Sequence, residues 1–144
     1  MGLAVLVVFA AAGWFLRARY MRAMEELSMR HRRLGSDGTV IGGEGFVMER
    51  ADAPAVLLLH GAGDTPQTLR YLAAGLHAAG FHVVAPLLPG HGRRLVDFAR
   101  VTADDLVTAS QSHYADLRAE REWVGFLEVS AVAHEEHRAR PRTV

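Results

Sequence analysis

Residues 55 to 63 read Ala55-Val56-Leu57-Leu58-Leu59-His60-Gly61-Ala62-Gly63. The apolar stretch from Ala55 to Leu59, bounded by Pro54 and Gly61, shows none of the alternation expected of a strand with one wet face. It fits a strand covered on both faces, as at the centre of a parallel sheet. After the glycine-punctuated turn, Thr65-Pro66 predicts a helix start, since Thr is a good N-cap and Pro is tolerated at the first helical position. Leu69, Leu72, Ala73 and Leu76 recur on one face of that helix, and Gly80 ends it. Phe81 to Ala85 reads as a second buried strand and Pro86 to Arg94 as a loop. Thr102-Ala103-Asp104-Asp105 introduces a helix running to about Arg121, and Trp123 to Val129 can form a third strand. Strands alternating with helices imply β-α-β units, hence an α/β fold with three layers and parallel central strands.

Before this core, Ile41 to Glu49, with Gly42, Gly43 and Gly45, reads as an early strand of poor regularity, and Ala51-Asp52-Ala53-Pro54 as a turn. Gly35-Ser36-Asp37-Gly38 reads as a linker. Gly2 to Leu16 is an apolar run without charge, followed at once by Arg17, Arg19 and Arg22 and by a helix-compatible stretch ending near Leu34. A secretory signal would carry its positive charge before the apolar stretch, so an uncleaved anchor fits better. The run is shorter than the roughly 20 residues that span a bilayer, although the arginine stems can extend its reach. The positive-inside rule would leave Arg17 to Arg33 and the globular part in the cytoplasm. The alternative is an apolar helix docked on a soluble protein.

Composition narrows the chemistry. Sixteen basic residues balance sixteen acidic ones, so nothing suggests a nucleic-acid partner held by bulk charge. The absence of Cys excludes disulfides, zinc–thiolate sites and thiol nucleophiles. Any covalent nucleophile must be a hydroxyl. Gly61-Ala62-Gly63 could open a dinucleotide-binding G-x-G-x-x-G turn, but Pro66 stands at the third glycine and no carboxylate follows between Phe81 and Pro89. His134-Glu135-Glu136-His137 is not the zinc-binding H-E-x-x-H motif, because its histidines are three apart. No metal site and no cofactor are expected.

The strand ending in His60-Gly61-Ala62-Gly63 resembles the oxyanion strand and loop of the α/β-hydrolases. Gly80-Phe81-His82-Val83-Val84-Ala85-Pro86 followed by Pro89-Gly90-His91-Gly92 is similar to the monoacylglycerol lipase and carboxylesterase branch, including its serine aminopeptidase-like members. The resemblance covers about half of the chain and implies hydrolysis of a small-molecule or lipid-like ester, with ester versus amide left open. By that resemblance the backbone N–H of Ala62 is one oxyanion donor, and His60, Gly61, Gly63 and His91 support the loop. Preorganised N–H groups of this kind stabilise negative charge on a carbonyl oxygen without reorganisation. The catalytic base of the family lies far downstream, so His60 is expected to brace rather than to catalyse. Both histidines could equally be shaping turns and nothing more.

An α/β-hydrolase places its serine on a strained elbow, G-x-S-x-G, where small neighbours relieve crowding. Here the third strand leads into Glu128-Val129-Ser130-Ala131-Val132. Ser130 stands at the nucleophile position, with Glu128 and Val132 where the glycines belong. The acid and histidine of the triad, which follow in chain order, are not matched before Val144. The expected organisation is an N-terminal anchor or docked helix over 1–34, a linker over 35–42, a partial hydrolase domain over 43–130 and an atypical tail over 131–144. The expected function is that of a truncated or frameshifted serine hydrolase, inactive as it stands. The alternative is a short membrane-anchored interaction module that keeps half of the fold.

Overall fold

The structure, a computed structural model, describes residues 2–129. The continuous apolar run becomes β2 (Ala55–His60), a strand with neighbours on both sides. On one side it pairs in parallel with β3 (His82–Ala85), and on the other with β4 (Val124–Val129), from Ala55 opposite Val124 to His60 opposite Val129. β1 (Phe46–Met48) adds to the free side of β3, giving the order β1-β3-β2-β4.

Alternation along β2 now has a physical meaning, because its two sets of side chains enter different cores. Val56 and Leu58 pack with Val83, Ala85, Leu69 and Ala73 beneath α2 (Arg70–Ala78). Ala55 and Leu57 pack with Val124 and with Leu117 of α4 (Ala103–Glu120). One helix on each face of the sheet makes three layers. A buried leucine contributes roughly 1.5–3 kcal/mol, so Leu57 and Leu58, both essentially inaccessible to solvent, anchor one face each.

Two sequence expectations need correction. The expected early strand shrinks to Phe46–Met48 and runs antiparallel to β3, so the sheet is mixed at that edge. Gly43 N–H is instead committed to a turn, donating to Val40 O at 2.8 Å. The helix expected from Thr65-Pro66 opens with a single 3-10 turn, Pro66–Leu69, and the Thr65 hydroxyl makes no capping bond. Asp64 takes over: its carboxylate accepts from Thr65 N–H at 2.8 Å and from the Thr68 hydroxyl at 2.9 Å. At α4 the local chemistry agrees with the sequence. Thr102 Oγ1 accepts from Asp105 N–H, and the Asp105 side chain accepts from Thr102 N–H, a closed capping box. A short α3 (Leu95–Phe98) also interrupts the connection before α4.

Gly2–Met29 forms α1, but the expected spanning anchor is not supported. No helix among the described residues is long and apolar enough to cross a membrane. Within the described helix the apolar stretch is broken by Arg17, Arg19 and Arg22. Residues 35–42 turn back onto the body, with Val40 N–H donating to Gly92 O at 2.6 Å and Arg93 Nη1 donating to Asp37 O at 3.0 Å.

Candidate functional site

β2 and β3 run in parallel and deliver their C-terminal ends to the same edge of the sheet, so the loops 61–65 and 86–94 meet there. His60 is the last residue of β2 and is 2% exposed. Its Nε2 accepts from Leu88 N–H at 3.1 Å, while Nδ1 lies 3.1 Å from Gly61 O. A backbone amide can only donate, so Nε2 must be the acceptor and the proton sits on Nδ1, donating to Gly61 O. One neutral imidazole thereby ties the two loops together. Burial holds its pKa below the ordinary imidazole value, and the neighbouring His91 pushes in the same direction.

His91 is 3% exposed. Its ring meets His60 edge to face, with centroids 4.7 Å apart, and meets Phe98 of α3 at the same separation. Nδ1 donates to Pro89 O at 2.9 Å, and Nε2 has no partner among the described residues. Gly90 makes the turn possible: its φ of +71° lies in the left-handed region, and an added Cβ would come within 3.0 Å of Phe98 Cα.

Between these fixtures the loop 61–65 is held open. Gly61 O accepts from Asp64 N–H at 3.2 Å, closing a four-residue turn in which Gly63 adopts φ +76°. Gly61 is buried, whereas Ala62 and Gly63 are exposed. Among the described residues neither the Ala62 N–H nor the Gly63 N–H donates a hydrogen bond. Two adjacent unpaired amides at the C-terminal end of a central strand can receive a developing oxyanion. Next to them opens a cleft of about 470 Å³ lined by Gly63, Asp64, Thr65, Thr68 and, from the segment that follows α1, Arg32 and Arg33.

The structure thus brings His60, Gly61, Ala62, Gly63 and His91 to one edge. Ser130 lies outside the described residues, as do His134 and His137. Among the described residues no group of three or more His, Cys, Asp or Glu side chains is placed to hold a metal ion. Leu88 and Phe98 were not candidates from sequence. Neither carries a local signal, since one contributes only its amide, 28 residues from His60, and the other only a ring edge.

This order of elements and this loop match the N-terminal part of the α/β-hydrolase fold. No family model matches the chain. It is, however, 38% identical to the thermostable monoacylglycerol lipase of Bacillus sp. (strain H-257) over 77 residues, 54% of this chain and 30% of that lipase. It is also similar to a solved structure of the metagenome-derived lipolytic enzymes LipS and LipT, at 29% identity and a TM-score of 0.58. That match covers 62% of this chain and 36% of the solved chain. The chain therefore spans about a third of the length of each of these proteins.

Proposed function

We propose that residues 43–129 supply the oxyanion-binding half of a serine hydrolase acting on carboxylic esters of lipid-like or small acyl substrates. The observation that carries this proposal is the pair of unpaired amides, Ala62 N–H and Gly63 N–H, exposed beside a loop locked by His60. In acyl transfer a serine attacks the carbonyl with help from a histidine and an acid, and negative charge collects on the carbonyl oxygen. Donors already aimed at that oxygen stabilise the tetrahedral state more than the planar ester. Their likeness to lipolytic proteins supports an ester as the substrate.

For this chain by itself we propose no triad-dependent turnover, because Glu128 and Val132 flank Ser130 where a nucleophile elbow needs small residues. The same crowding, with the exposed side chains of β4, favours as second reading a non-catalytic module that keeps this half of the fold. The two are separated by transplanting residues 43–129 into the Bacillus lipase in place of its matching segment. Hydrolysis of a p-nitrophenyl ester by the chimera supports the oxyanion role. A folded chimera without turnover sinks it. Turnover by the purified chain, abolished by Ser130→Ala, would overturn the statement about the chain itself.

A further inference from the structure

The lower part of α1 is fixed to the body, and its upper part is not. Glu25 Oε1 accepts from Arg94 Nε at 3.0 Å, and Met21, Arg22, Glu25 and Glu26 face Arg94, Val96 and Ala99 across a shallow cleft. This attachment lies on loop 86–94 and α3, the segment that also carries His91. Above it every side chain from Val5 to Arg17 is exposed, including Phe9, Trp14 and Leu16, with Trp14 at 73%. The apolar residues occupy the whole circumference of the helix. A surface-lying mode would require a stripe with a polar back, and this segment has no polar face; a helix apolar all round belongs in a large protein core or in a bilayer. Its surroundings must be apolar on all sides, as a hydrocarbon interior is.

The charges define which hydrocarbon interior. The first ionic residues after the run are Arg17, Arg19 and Arg22, with Tyr20 between them and Trp14 just before, and no acidic residue occurs until Glu25, which Arg94 neutralises. Arginines with flanking aromatic rings suit the headgroup layer, with arginine stems and rings reaching into the hydrocarbon boundary. We propose that α1 inserts its apolar turns, up to Leu16, into an anionic phospholipid bilayer, with Arg17, Arg19 and Arg22 seated among the headgroups. An anionic leaflet of this kind faces the cytoplasm, which places the globular part on that side. The inference is independent of the hydrolytic proposal, since it uses none of residues 55–63.

The test uses the full chain carrying Trp123→Phe, so that Trp14 is the remaining indole. Vesicles of phosphatidylcholine, alone or mixed with phosphatidylglycerol, are added while Trp14 emission is followed. A blue shift, quenching by bromine-labelled lipids and at least about tenfold tighter partition into the anionic vesicles are expected. Val8→Asp with Phe9→Asp removes binding to both vesicle types. Arg17→Glu, Arg19→Glu and Arg22→Glu together weaken anionic binding on the order of a hundredfold or more, at roughly fivefold for each positive charge lost near the surface. The proposal fails if the Asp variant binds as tightly as the parent. It fails equally if Trp14 is shielded from iodide without lipid and vesicles leave its emission unchanged, the behaviour of a helix buried against a second copy.

Discussion

Replacing His60 by alanine removes the side chain that ties loop 61–65 to the loop after β3. Two hydrogen bonds are lost, from Nδ1–H to Gly61 O and from Leu88 N–H to Nε2. Each contributes about 1 kcal/mol net, and an amide left buried without an acceptor costs about 1–3 kcal/mol. Leu88 is itself buried, so water does not readily replace the ring nitrogen. The ring also leaves a void against His91, which loses its edge-to-face contact. Together these give a destabilisation of about 3 kcal/mol, a large share of the 5–15 kcal/mol typical of a folded domain. Urea unfolding followed by far-UV circular dichroism should show a clearly lower midpoint at unchanged slope. His60→Gln, which keeps an acceptor on a similar stem, should recover part of the loss. A His60→Ala midpoint within about 0.5 kcal/mol of the parent would refute the bridging role.

Stability should fall as pH drops below the ordinary imidazole value of 6.5 towards the lower folded pKa of His60, since the unfolded chain then binds a proton that the native state resists. His82, also buried and lowered, acts in the same direction, so the part due to His60 is the slope that His60→Gln removes; an unchanged slope contradicts the assignment. Thr102→Ala opens the capping box of α4 and should cost about 1 kcal/mol in urea unfolding; no change would mean that the cap is idle. Gly90→Ala combines positive φ with a Cβ against Phe98 and should destabilise by about 2 kcal/mol or more, whereas Gly75→Ala, with open space around its Cβ, should not destabilise. Phe126 on the edge strand is 63% exposed, so Phe126→Lys should lower concentration-dependent association seen by light scattering at nearly constant stability; unchanged association would show that this edge is not sticky.

How much of this was legible in the sequence depends on how local the signal is. The path of β2 could be read because burial on both faces forces an unbroken apolar run, and the start of α4 because a capping box lies within four residues. The direction of β1 could not, because three residues encode no partner and the antiparallel choice is made by β3. Thr65 misled for a related reason. Its neighbour Asp64 supplies the carboxylate instead, accepting from the Thr65 amide and the Thr68 hydroxyl. At the site, His60-Gly61 marked the loop, yet the bond from Leu88 that fixes the imidazole tautomer joins residues far apart in the chain. The seat of His91 on Phe98 depends on α3, a helix too short to leave a periodic pattern.

The most direct test of the oxyanion assignment is Ala62→Pro in the lipase chimera, set beside Ala62→Gly. Proline deletes the amide proton and leaves the rest of the site in place, while glycine keeps the proton and removes only the methyl group. Ester hydrolysis under saturating substrate is predicted to fall by about a hundredfold to a thousandfold in kcat for the proline variant. KM should change little, and the glycine variant should stay close to the parent. Equal kcat in the proline and glycine variants, with the His60 imidazole still in its Nδ1–H form by nitrogen NMR, would contradict the role given to Ala62 N–H.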